Sequence, residues 1–396
     1  MNFWTLIRFE FRTIFRDPTV KLTVIVATLV YLILYPLPYL AGVPTKQTIV
    51  IVDHDQTSLS RQIIRDANAS AKIKVVAKVN SIEQAQKMIE SNKARGFLII
   101  PNNFQRNLLL GQESTLSYGA DASYFLIYGA IAKGLTAVSM ELDKQIQRSG
   151  ALFHGASYQE MHLALNPIKL NTVAVFNPTL SYNPYLIPGL LLLILHQTML
   201  IALATIGTTQ WHKKGYWSRV SALQLVSARL VVFCSIYSLL TALYVGWGFM
   251  HYGVTLVAHL SEVLLLMIPF LLSVATLGIA LSCFFESKER PTQVFILMGM
   301  PIIFLTGFVW PIILIPHLLV NLSQIIPAIP AIMSMLKINQ FGASWTDIIW
   351  GWLHLWLLFV IFGGFAIYNV KKRLKQITDA NLPKKILTPL NRAQSQ

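Results

Sequence analysis

Charge is what this sequence has least of. Asp, Glu, Lys and Arg make up 12% of its 396 residues and hydrophobic residues 54%, whereas a soluble domain carries about 25% charged residues. Between residues 230 and 336 the ionised side chains are Glu262, Glu286, Lys288, Glu289 and Arg290 and no others. Depletion on this scale excludes an ordinary water-soluble fold. Cysteine is almost missing as well. Cys234 and Cys283 lie in or beside apolar segments, so the polar part has no disulfide or cysteine-metal framework and must fold on its own core. A third absence concerns nucleotide. No G-x-x-x-x-G-K-[ST] loop occurs, and the dipeptide Gly-Lys is never found. The backbone cradle that this motif provides for phosphates is lacking in this chain.

The net charge of +15 at first suggests a nucleic-acid partner, but its distribution argues against one. Fourteen of the 32 basic residues lie between residues 42 and 183 beside ten acids, and most of the rest flank apolar runs. Charges so placed hold loops on one side of a bilayer. A hydrocarbon core of about 30 Å needs roughly 20 apolar residues in a helix. Six stretches qualify: 22–43, 185–206, 230–249, 262–285, 294–315 and 348–370. The first is longer than the core of a cleaved signal peptide and reads as an uncleaved anchor, with Pro36 and Pro38 near its outer end. Basic residues sit before the first span (Arg8, Arg12, Arg16, Lys21), between the second and third (Lys213, Lys214, Arg219, Arg229), between the fourth and fifth (Lys288, Arg290), and after the sixth (Lys371, Lys372, Arg373, Lys375). The short alternate loops are nearly free of them: 251–259 has none and 316–347 only Lys337. The expectation is an α-helical integral membrane protein with six transmembrane helices and an external α/β domain inserted between the first two. Residues 1–21 and the tail 371–396 are cytoplasmic, residues 44–183 external, and residues 184–370 hold the remaining spans.

Ahead of the first span, Arg8, Arg12 and Arg16 recur every fourth residue beside Phe3, Ile7, Phe11 and Ile14. This pattern suits an interfacial helix touching membrane lipids, ended at Asp17-Pro18 because the residue before proline disfavours the α region. In the insert, short apolar runs alternate with helical patterns: strands at 48–52, 73–79, 94–100 and 115–118, and helices at 58–67, 81–91, 104–110 and 124–148. That alternation predicts a compact α/β domain. One motif there imitates an enzyme. Asp53-His54-Asp55-Gln56-Thr57 after a strand resembles a phosphatase nucleophile loop, whose chemistry needs a second set of acids around a metal. The next strands end in Val79-Asn80 and Ile100-Pro101, without acids. A strand end leading into a helix N-terminus accounts for the motif, and neither catalytic nor metal-ligating residues are assigned.

Polar groups within spans are costly and point to function. His196 and Gln197 lie near the middle of the second span. They suit either a central substrate pathway, also lined by Trp310, or a hydrogen bond between packed helices. Glu262 suits a solvated helix start. The proline-rich stretch 311–330 cannot form one straight helix and predicts short segments capping the outer side, with a re-entrant loop as the variant.

Several stretches carry a family likeness: Phe9-Glu10, Arg16-Asp17-Pro18, Val52-Asp53-His54-Asp55, Gly96-Phe97-Leu98-Ile99-Ile100-Pro101, Asn183-Pro184 with Pro188-Gly189, and Leu305-Thr306-Gly307-Phe308-Val309-Trp310-Pro311. In this order the chain resembles the permease subunits of ABC type-2 exporters with a large external domain after the first span. The resemblance covers residues 2–375. It implies a transporter in the bacterial cytoplasmic (inner) membrane, built from two permeases, the second a copy or a homologue, and a separate ABC ATPase that holds the ATP and Mg²⁺. A periplasmic adaptor is a further candidate partner, and drugs, lipids or other amphipaths are candidate substrates. The chain departs from the family after the second span. Acids usual there are replaced by Trp211-His212-Lys213-Lys214-Gly215-Tyr216-Trp217-Ser218-Arg219. Trp211, His212, Lys213, Lys214, Tyr216, Trp217 and Arg219 are thus candidates for coupling to the ATPase, with a purely topogenic loop as the alternative. Two other classes compete with the permease. A membrane-anchored sensor or assembly protein lacks its cytoplasmic output domain here. An ion-coupled carrier would rest on His196 alone.

Overall fold

The computed structural model describes residues 1–40, 42–153, 177, 181–211 and 215–379. In chain order the elements are α1 (Phe3–Arg16), α2 (Pro18–Tyr39), β1 (Gln47–Asp53), α3 (Ser58–Ala69), β2 (Ile73–Val79), α4 (Ile82–Glu90), β3 (Gly96–Ile100), α5 (Phe104–Leu109), β4 (Ser117–Ala120), α6 (Phe125–Phe153), α7 (Asn183–Trp211), α8 (Ala222–His251), α9 (Leu260–Ser282), α10 (Arg290–Leu305), α11 (His317–Ser323), α12 (Ala328–Gln340) and α13 (Trp345–Asp379). They form two compact units: residues 41–173, and the remainder, 1–40 with 174–396.

The smaller unit is a four-stranded sheet in the order β2-β1-β3-β4. The first three strands are parallel and β4 is antiparallel to β3. Strand β1 is central and buried on both faces, which is why it reads as an unbroken Ile-Val run. Ile49 and Ile51 face a core with Ile63 and Ala67 of α3 and Ile131 and Leu135 of α6. Val50 and Val52 face Ala85 of α4 and Ala94. The expected strands and helices are all present, with ends shifted by a few residues. The Asp-rich motif is structural. Asp53, fully buried, pairs with Lys78 at 2.7 Å and accepts hydrogen bonds from Ser60 Oγ (3.0 Å) and the Gln56 N–H (2.9 Å). Asp55 accepts from Thr57 Oγ1 and the Gln105 N–H. Both carboxylates are thereby held by the strand-to-helix turns around them.

Burial alone would raise the Asp53 pKa. The hydrogen bonds from Lys78, Gln56 and Ser60, with the Lys78 charge, outweigh it and hold the carboxyl below its ordinary range. A carboxyl depressed in the folded state contributes stability above its unfolded pKa of about 3.9, and that contribution is lost as pH falls through the folded value. Asp53→Asn should therefore weaken this unit at neutral pH, with the difference from wild type shrinking below about pH 4. Hydrogen exchange of the β1 and β2 amides across pH, corrected for intrinsic rates, measures this. A constant difference down to pH 2 would contradict it.

In the larger unit α7 is the central helix. From Leu186 to Trp211 every residue except Gln197 and Thr209 is buried, as expected of a helix apolar on all sides. It packs against α2, α9, α10 and α12, while α13 runs along α9 and α12. Close approach needs small residues. A Cβ on Gly189 would stand 2.8 Å from the Phe308 ring, and one on Gly207 would collide with Ser282 of α9. Helix α2 widens into a π-helical stretch at Leu22–Ala27, and the Tyr244 hydroxyl of α8 donates to the Thr28 carbonyl just beyond it at 2.6 Å.

Among the described residues five helices are long and apolar enough to cross a bilayer: α2, α7, α8, α9 and α13. The fifth expected span, 294–315, is not one such helix. Helix α10 has 16 residues, about 24 Å against a core of about 30 Å. It ends at Leu305 because Gly307 turns with φ +81° and Pro311 follows. Helices α11 and α12 then meet at 97°, and they make a sixth span only if counted together. The proline-rich stretch is broken into short segments, as its composition predicts.

Candidate functional site

Helix α1 stops at Arg16 because Asp17 caps the next helix. Its carboxylate accepts from the Thr19 and Val20 N–H groups at 2.9 and 3.2 Å, with Pro18 at the first helical position. Helix α1 sorts its side chains by face. Leu6, Glu10 and Ile14, four residues apart, are buried, whereas Arg8, Arg12 and Arg16 and the aromatics Trp4, Phe11 and Phe15 are exposed. An acid in the middle of the buried stripe demands a partner.

The partner is Arg229, about two turns into α8. Both residues are fully buried, and Arg229 Nε lies 3.1 Å from Glu10 Oε2. The other carboxylate oxygen accepts from the Tyr216 hydroxyl at 3.0 Å. Gln210, near the end of α7, closes the ring: its Oε1 accepts from Arg229 Nη2 and its Nε2 donates to the Tyr216 oxygen at 3.2 Å. Thr13 Oγ1 stands 3.0 Å from the same oxygen. The Arg229 guanidinium covers the Trp211 ring at 5.6 Å, and the Trp211 indole donates to the Ser282 carbonyl at 3.1 Å. Burial, then the neighbouring Glu10 charge, pushes the Tyr216 phenol well above its ordinary pKa, so it remains a neutral donor. One polar cluster thus joins α1, the end of α7, the turn Tyr216–Arg219, α8 and the end of α9.

Of the residues singled out for ATPase coupling, Trp211 and Tyr216 point into this cluster. Trp217 packs on the helix core and edge-on against Tyr216, and Arg219 is exposed. His212, Lys213 and Lys214 lie outside the described residues. In the middle of α7, His196 is 1% exposed, and neither its ring nitrogens nor the Gln197 amide atoms have a partner among the described residues. Gln197 lies toward Gly299 of α10. Trp310 is half-exposed. The turn that carries it meets α7 through Phe308 at Gly189, seven residues or about 10 Å of helix from His196. Glu262 caps the start of α9, accepting from the His259 N–H at 3.0 Å.

In the sequence, Glu10 reads only as part of Phe9-Glu10 and Arg229 only as a basic flank of a span, and the two are not paired. Glu10 interrupts an apolar stripe, and Arg229 stands within an apolar helix. Nothing local joins two residues 219 positions apart.

A bundle of bilayer-length helices with a separate α/β unit inserted after the first of them fits a membrane permease. The model of the ABC-2 family transporter proteins matches residues 19–368, and the chain belongs to that family. Its relatives include the Escherichia coli (strain K12) protein named "Probable multidrug ABC transporter permease YbhR", 25% identical over 383 residues that span 93% of this chain and 98% of the relative. The linearmycin resistance permease protein LnrN of Bacillus subtilis (strain 168) is 22% identical over 363 residues, 86% of this chain and 91% of its own length. An ABC ATPase is the partner that membership in this family implies.

Proposed function

We propose that this chain is the membrane subunit of an ATP-driven exporter that moves a drug, lipid or other amphipath out across the bacterial inner membrane. The observation that carries the reading is the junction of Glu10, Gln210, Tyr216 and Arg229 beside the turn Tyr216–Arg219. It gives a separate motor a cytosolic handle on three helices of a family permease. In this reading both termini are cytosolic, residues 44–183 lie outside, and the chain works as a dimer with a copy or a homologous permease. The ATPase binds ATP and Mg²⁺ and docks on the segment 211–219 through Lys213, Lys214, Trp217 and Arg219. A periplasmic adaptor engages the external unit. The exposed Arg8, Arg12 and Arg16 with Trp4, Phe11 and Phe15 seat α1 in the lipid headgroups. His196 and Gln197 offer the substrate its polar contacts within the bilayer, and Trp310 lies along its way out. Drug-like cargo is supported by the names of the two relatives, which speak of multidrug transport and linearmycin resistance.

The test has two arms. A cysteine at exposed Glu113 should react with a membrane-impermeant maleimide in intact cells, and reaction only after lysis would reverse the topology. Inverted vesicles containing the chain and its ATPase should take up a fluorescent amphipathic dye with ATP. Replacing Lys213, Lys214 and Arg219 by Glu should cost at least tenfold of this uptake and release the ATPase on purification. ATP-independent uptake that survives loss of the ATPase would favour an ion-coupled carrier instead.

A further inference from the structure

A buried ion pair is a poor way to gain stability. Two charges taken out of water cost several kcal/mol each, and a well-packed apolar pair is often as stable or better. Both partners here sit in apolar company that offers such a solution: Leu6 and Ile14 on the stripe of Glu10, and Leu225, Val226, Val232 and Phe233 around Arg229 in its helix. What the charged ring has that apolar packing lacks is direction. Apolar surfaces slide over one another, whereas the Glu10 carboxylate spends one oxygen on Tyr216 and the other on Arg229. Gln210 ties the same two groups to α7. A displacement of the turn Tyr216–Arg219 therefore reaches Glu10 through one hydrogen bond and Arg229 through the next. Parting Glu10 from Arg229 would strand both charges.

From this geometry we infer that Glu10 and Arg229 are positioning residues for ATP-driven transport: their pair pins α1 to α8, so that a stroke delivered at the turn Tyr216–Arg219 moves the two helices as one body. The inference rests on the exporter reading above, since it needs an ATPase to deliver the stroke.

Spin labels at Thr5 of α1 and Leu223 of α8, both exposed, with Cys234 and Cys283 changed to alanine, measure the pin in the permease–ATPase complex. With the pair intact, the distance between them should be the same in ADP and in ATP with vanadate. In Glu10→Met/Arg229→Met, where both charges are gone, the complex should still assemble and melt as wild type does. The distance should then differ between the nucleotide states by on the order of 2 Å or more, the scale of helix shifts in switching proteins. ATP hydrolysis should persist while dye uptake falls at least tenfold. A distance that changes with nucleotide while the pair is intact overturns the pin without recourse to any variant. A double variant that keeps both a constant distance and full uptake makes the pair merely structural. Failure of any ATPase to bind the chain removes the exporter reading, and the pin with it. Binding and hydrolysis with the wrong distance pattern removes the pin alone.

Discussion

Arg229→Met as a single change should cost about 3–5 kcal/mol, because it leaves the Glu10 carboxylate buried and uncompensated. Proteins are commonly stable by only about 5–15 kcal/mol, so most of the single variant should be lost as aggregate or degraded protein. Glu10→Gln should act in the same direction through the stranded guanidinium. The loss does not measure the worth of the pair, since removing both charges should recover most of it. Fluorescence-detected size exclusion and melting in detergent would read the single and double variants side by side. An Arg229→Met protein that melts with wild type would mean that the carboxylate finds water or a proton at little cost.

Gly207→Leu should also be damaging, for a reason of shape. A Cβ at this position has no room against Ser282, so α7 and α9 must separate or twist. Overpacking of this kind costs about 1–3 kcal/mol, and sometimes more. The effect reaches the charged junction, because Ser282 also accepts the Trp211 indole N–H through its carbonyl and hydroxyl oxygens, and Trp211 lies under Arg229. Emptying the opposing position with Ser282→Gly should restore part of the loss in the double variant. If Gly207→Leu melts and transports as wild type, the two helices are not held at the close spacing described above.

Much of the architecture could be read from runs of residues. The α/β unit follows from short apolar strands between helical patterns, and the expected strand 73–79 matches the observed one to the residue. The helix before the first span follows from arginines every fourth residue, and its end from Asp17-Pro18. The fifth span was misread because the stretch 294–315 is apolar throughout. Hydropathy does not register that Gly307 leaves the helix at positive φ and that the chain then turns at Pro311.

The functional site divided differently. Trp211 and Tyr216 stood out as aromatic anchors, and aromatic side chains suit a docking surface as well as an interior. Only packing reveals that both face inward here. Glu10 and Arg229 were visible, one as part of a family-like dipeptide and the other as a topogenic charge, and neither was given the other as partner.

By itself the sequence determined the local structure: which runs are apolar, which form strands, and where helices end. These depend on composition and on interactions within a few residues, so they survive without knowledge of the fold. The tertiary structure decided that α7 is surrounded, that the fifth span is broken, and that an acid near the start of the chain meets a guanidinium 219 positions later. Such a meeting is set by how four helix ends pack, and burial in a low-dielectric junction then gives the charges their leverage.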